Sequence, residues 1–296
     1  MGLFSRLFGK RRSGHAEKAA SGGVPPGVVT IADDDERMND AMEKARLTLE
    51  YFRESLLLPR PEQTYFSVKV KIEDKGKQEY IWLTSPSFDE EGNLFGIVGN
   101  KPQFVNSIKD GQEIGIDAGS IADWMILEDG RLIGGYTIRA IRDRLSENEI
   151  ADFDKNTGLN IDEGVDYFPH DFSTPEGAIL CLEDAYDEHN IEKAIACKDF
   201  QEEARMLLKR MNELYQDGEI VERTAEILEL SFRKSLQENG FPVFKNILRA
   251  FPVRQKISRN LYLVTEVCIF PDGSKSRQQL YTYNGPDGWR VLHPED

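Results

Sequence analysis

Twice along this chain the spacing of apolar residues switches from helical to alternating, and both times the helical stretch comes first. In "DDDERMNDAMEKARLTLEYFRESL", Met38, Ala41, Met42, Ala45, Leu49, Phe52 and Leu56 recur at helical spacing. The acidic run Asp33–Glu36 sits where a helix start favours negative charge, and Pro59 and Pro61 end the helix. "YFSVKVKIED", "KGKQEYIWLTSPSF", "NLFGIVGN" and "EIGIDA" then alternate with period two. The stretch "DWMILEDGRLIGGYTIRAI" reads as a closing hairpin: Asp129-Gly130 suits a turn that needs positive φ at both central residues. Gly134-Gly135 marks a bulge or a close backbone approach.

The second switch follows the same order. "TPEGAILCLEDAYDEHN", "IEKAIACKDF", "QEEARMLLKRMNELYQDG" and "EIVERTAEILELSFRKSLQENG" read as helices, the first capped by Ser173 or Thr174 with Pro175 in its first turn. "ILRAFPVRQKIS", "NLYLVTEVCIF", "KSRQQLYTYN" and "GWRVLHP" read as strands. The pattern predicts an α+β chain: a helix plus a small bent antiparallel β domain, then a helices-then-curved-antiparallel-sheet, cone-like domain. The expected boundaries are a basic flexible tail at 1–27, the first domain at 28–145, a capped helix and linker at 146–172, and the second domain at 173–296.

Charge and cysteine usage narrow the function. The net charge of −15 disfavours a nucleic-acid partner, since phosphate backbones are held by cationic surfaces. Three cysteines, Cys181, Cys197 and Cys268, none in a Cys-x-x-Cys pair, argue against a disulfide scaffold and point to a reducing cytoplasm. Basic groups gather at the start, where Leu3, Phe4, Leu7 and Phe8 share a helical face with Arg6, Lys10, Arg11 and Arg12 around them. Residues 1–12 therefore read either as part of a plain tail or as a weak contact with an anionic membrane surface.

Catalytic signatures are missing. No Gly-x-Ser-x-Gly, His-Glu-x-x-His, phosphate loop or Rossmann glycine turn occurs, and His15, His170, His189 and His293 belong to no triad motif. Asp152, Asp154, Asn156, Asn160 and Glu163 mimic the spacing of a calcium loop, but Thr157 stands where that loop needs glycine. Ser146 with Glu149 instead reads as a capping box. No metal site and no cofactor are expected.

Two resemblances emerge from these pieces. "MEKARLTLEYFRESL", "GIVGNKPQFVNSIKDGQEI", "IADWMILEDGRLIGGYTIRAIRDRLS" and "EIADFD" resemble the bacterial family catalogued as domain of unknown function 2314, over roughly 33–155. That resemblance implies no reaction. Residues 173–296, with "TPEGAILCLEDAY", "DEHNIEKAI" and a last strand at "DGWRVL", look like the cone fold named after nuclear transport factor two. This fold implies an enzyme, a ligand carrier or a protein-binding module, including toxin-blocking immunity proteins, and does not choose among them.

Candidate residues follow for each domain. Trp82, Trp124 and Tyr136, framed by Asp123 and Arg139, form either an aromatic recognition patch or the core of a bent sheet. In the second domain Glu266, with His189 and Tyr186 nearby, is the candidate general base of a dry pocket walled by Tyr262, Tyr281, Tyr283 and Trp289. Its structural alternative is a solvated strand residue among cross-strand aromatics. The leading expectation is a cytoplasmic, non-catalytic binding protein, regulatory or toxin-neutralising, whose acidic surface meets a basic protein partner. The alternative is a small-molecule-binding protein or enzyme using the C-terminal cone, and a deep apolar pocket enclosing Glu266 or His189 would favour it.

Overall fold

The computed structural model describes residues 35–211 and 217–294; the N-terminal amphipathic segment, His15 and the first part of the acidic run lie outside them. The chain divides into two compact units, Met1–Gly164 and Val165–Asp296, each with helices and its own antiparallel sheet. Among the described residues no helix is long and apolar enough to cross a membrane.

The first unit begins with α1 (Glu36–Leu47) and α2 (Leu49–Leu57). Asp35 caps α1 by accepting the Met38 N–H at 3.1 Å. One continuous helix is expected over 38–56; the structure interrupts it at Thr48. The cause is a side chain inserted beside the backbone ladder. The Trp124 indole N–H donates to the Ala45 carbonyl at 3.0 Å and to Thr48 Oγ1 at 3.2 Å.

Six strands follow: β1 (Gln63–Asp74), β2 (Lys77–Phe88), β3 (Leu94–Val98), β4 (Glu113–Ile116), β5 (Ile121–Glu128) and β6 (Arg131–Gly134). Their order across the sheet is β4-β3-β2-β1-β5-β6. The β5–β6 turn is the expected one, with positive φ at both Asp129 (49°) and Gly130 (79°). The strand expected to continue through "GGYTIRAI" does not. Gly134 and Gly135 both take left-handed backbone angles, and the chain turns into α3 (Tyr136–Arg142). The first half of the calcium-like stretch lies in α4 (Glu147–Thr157), with the expected Ser146–Glu149 capping box. Its Asp154 is held by Arg142 in two hydrogen bonds of 2.7 and 2.6 Å, and beyond the helix Asn160 bridges to Arg131.

The second unit places α5 (Pro175–Asp187), α6 (Ile191–Ala196), α7 (Phe200–Arg210) and α8 (Gly218–Asn239) before β7 (Leu248–Lys256), β8 (Leu261–Ile269), β9 (Lys275–Gly285) and β10 (Gly288–Pro294). The strands form a simple antiparallel meander. Helix α5 starts as expected, with Thr174 Oγ1 accepting the Gly177 N–H at 2.9 Å. It is buried along most of its length, two glutamates included. Helices α7 and α8 pack through Phe200, Ala204, Leu208, Val221 and Ala225. Both outer strands of the meander are partly covered. Asp166 donates its N–H to Arg249 O at 2.9 Å and accepts the Phe251 N–H at 2.7 Å, while Pro252 offers β7 no donor. On β10, Val291 donates to Cys197 O at 2.9 Å and Trp289 to Phe172 O at 2.9 Å.

Gly134 is the tightest point of the first unit. A Cβ there would lie 2.6 Å from both the Trp124 ring and the Trp124 carbonyl, at a φ of +66°. Gly130 has a comparable φ of +79° with nothing within 4 Å. Urea denaturation is therefore expected to show Gly134→Ala destabilised by roughly 2–4 kcal/mol, strain and overpacking together. Gly130→Ala should lose only about 1 kcal/mol, from the backbone alone.

Candidate functional site

The aromatic patch expected in the first unit is an interior, not a face. Trp82, Asp123 and Trp124 are almost wholly buried, and Tyr136 is 5% exposed. Trp124 packs edge-on to Tyr136 at 5.8 Å and against Phe52 at 5.6 Å. The Asp123 carboxylate accepts the N–H groups of Trp124 (2.8 Å), Tyr136 (3.2 Å) and Thr137 (2.8 Å) and the Thr137 hydroxyl (2.6 Å). It thereby caps α3 from a neighbouring strand. Lys69, its cross-strand partner, donates to Thr137 Oγ1 at 3.1 Å. Burial pushes the Asp123 carboxyl up and the Lys69 ammonium down from their ordinary values. Arg139 does not pair with Asp123; its guanidinium donates to the carbonyls of Leu132, Gly134 and Asp162. Trp82, Asp123, Trp124 and Tyr136 are thus interior groups, with Arg139 half-buried beside them.

In the second unit the sequence pointed at Glu266 but not at its neighbour. Glu266, on β8, is wholly buried and lies beside Glu183 of α5, itself 3% exposed. Glu176 and Glu183 stand seven residues apart on α5 and so share a face. Two β7 arginines meet them: Arg249 ion-pairs with Glu183, and Arg254 lies 3.7 Å from Glu176. Gln278, opposite Glu266 on β9, donates its amide to Glu266 Oε2. A second negative charge is disfavoured in so dry a setting, so Glu183 keeps its proton at neutral pH. Burial first, then Glu266, pushes Glu183 up to about 10.

The residues expected beside Glu266 take other partners. His189 is exposed and lies against Phe241 at 5.1 Å, so the Glu266–His189 pairing gives way to Glu266–Glu183. Tyr186 packs among Phe232, Phe241 and Phe244, Tyr262 against Trp289 at 5.1 Å, and Tyr281 against His293 at 5.3 Å. These aromatics are packing partners.

An open groove of about 430 Å³ lies elsewhere in this unit, lined by one side of α8, the start of α7 and the β9–β10 turn. Its acidic side chains are Asp199, Glu222, Glu226, Glu229 and Asp287, and its cations are Lys198 and Arg290. Both cations are engaged. Lys198 donates to Leu292 O and pairs with Glu203 at 3.1 Å, and Arg290 donates to Asp287 O and Trp289 O and lies 3.9 Å over the Phe172 ring. Glu222, Glu226 and Asp287 are exposed, with no ion-pair partner among the described residues. Sequence reading missed the groove, although Glu222 and Glu226, one helical turn apart, were its available signal.

The carboxyl pair sets a pH dependence. The Glu183 proton is bound in the folded state up to about pH 10, whereas an unfolded glutamate has released it above its ordinary value of 4.5. Folding therefore takes up a proton in that window, and stability is full below about 4.5 and falls as pH rises toward 10. Urea titrations in a chelating buffer at several pH values are expected to show this decline, with Glu183→Gln flattening it and Glu266→Gln reducing it.

Comparison with known proteins identifies the first unit. A family model described as "Uncharacterized protein conserved in bacteria (DUF2314)" matches residues 35–161. The uncharacterized protein YegJ of Escherichia coli (strain K12) is 34% identical over 111 residues, covering 38% of this chain and 71% of that protein. A putative ankyrin repeat protein, NMB1133/NMB1171, of Neisseria meningitidis serogroup B is 26% identical over 203 residues, covering 64% of this chain and 76% of its own length. That share exceeds the first unit's 164 of 296 residues, so the likeness runs into the second unit. No solved structure matches the chain. The agreement of the family model with YegJ, most of whose length this chain covers, makes the chain a member of the bacterial DUF2314 family.

Proposed function

We propose that this is a non-catalytic binding protein whose second unit receives a basic segment of a protein partner in the α7–α8 groove. The observation that carries this reading is the charge imbalance there: three exposed, unpaired carboxylates face a groove whose own cations are already engaged. Glu222 and Glu226 are like charges at i and i+4, an arrangement that costs a few tenths of a kcal/mol and that an incoming cation relieves. Glu266, the group best suited to act as a base, is sealed from solvent, which removes support for a small-molecule reaction at that residue. The helices-then-meander order supports reading the second unit as a nuclear-transport-factor-2-like module that serves as a binding platform. A regulatory or toxin-neutralising role fits an acidic site of this kind.

Fluorescence anisotropy with a labelled Arg/Lys-rich peptide tests the proposal. Binding is expected at low salt and should disappear near 1 M salt, where the screening length falls to about 3 Å. Glu222→Lys with Glu226→Lys should weaken it at least tenfold, about 1.4 kcal/mol. Affinity unchanged by that double substitution would overturn the reading. Affinity purification with mass spectrometry then identifies the partner.

A further inference from the structure

We propose that Glu183, Glu266 and Cys268 form a buried site for one divalent transition-metal ion of the zinc class. The inference is independent of the groove. A carboxylate oxygen from each glutamate and the Cys268 sulfur all lie within 4.8 Å of one another. Edges of a tetrahedral zinc site with oxygen and sulfur ligands measure about 3.5 Å, so small rotations about side-chain bonds close the set. The three ligands come from well-anchored elements: Glu183 from α5, and Glu266 and Cys268 two residues apart on β8, hence on one face of the strand.

A second observation points to a ligand. Glu266 is wholly buried; Gln278 satisfies its Oε2, while Oε1 meets no hydrogen-bond donor. What lies beside it is another carboxyl and a thiol, groups that attract a cation once they lose their protons. The charge balance is the same either way. With one proton on Glu183 and one on the thiol, the two carboxyls, Cys268 and the Arg249 cation sum to zero. A divalent ion that binds displaces two protons, one from the carboxyl pair and one from the thiol, and the sum is again zero. Arg249 stays on Glu183 and fixes its orientation, as outer partners of metal ligands do. The sulfur donor selects a zinc-class ion over magnesium or calcium, which take oxygen ligands in larger number. The second oxygen of a carboxylate, or a water, completes four-coordination.

The test uses the full chain, produced in cells grown with added Co²⁺ and purified without chelator. Metal analysis is expected to find about one ion per chain, zinc and cobalt together. The cobalt form should show a thiolate-to-cobalt charge-transfer band. Cys268→Ser should remove that band and Cys181→Ser should leave it, while Glu266→Gln should weaken metal retention roughly tenfold or more. A wild-type chain with no stoichiometric ion, or with bound cobalt lacking the band, would overturn the proposal without recourse to any variant. So would a band that survives Cys268→Ser.

Discussion

A charge taken out of water has to be met inside the protein, and both units are organised around that requirement. In the first, Asp123 is fully buried, and the donors that meet it are backbone groups at the start of α3, the Thr137 hydroxyl and the N–H of its neighbour Trp124. Satisfying the carboxylate therefore fixes where β6 ends and α3 begins. Trp124 then carries the same constraint to α1 and α2, because its indole N–H reaches Ala45 and Thr48. In the second unit α5 brings two glutamates into the interior, and β7 supplies an arginine for each. Glu266 is the carboxyl that has no arginine in that arrangement, and Gln278 meets it instead.

Local signals were legible wherever a few adjacent residues decide the outcome. Asp129-Gly130 specifies its turn, Ser146 with Glu149 its helix start, and Thr174-Pro175 the entry of α5. Reading failed where the deciding group is distant. Tyr136–Arg142 alternates well enough to pass as a strand, but left-handed angles at Gly134 and Gly135 and a carboxylate from β5 turn it into a helix. The break at Thr48 is imposed by a tryptophan 76 positions away. Trp82, Trp124 and Tyr136 were singled out together, yet only Trp124 and Tyr136 meet, while Trp82 packs with Met125, Leu132 and Ile138; composition alone says neither which aromatics join nor whether they face water or core. Glu266 was visible as a lone strand carboxylate; Glu183, in another element, gives it its meaning, and no spacing rule joins the two.

The covered outer strands of the second unit limit how it can be approached. A meander of four strands ordinarily offers two rows of backbone donors and acceptors to any passing extended chain. Here Asp166 and Pro252 occupy one row, and the carbonyls of Cys197 and Phe172 take donors from the other. Recognition by adding a strand, common among peptide-binding modules, is thus obstructed on both flanks. The same coverage guards crowded copies of the molecule against zipping together into fibrils, leaving side chains rather than main chain to choose the company it keeps.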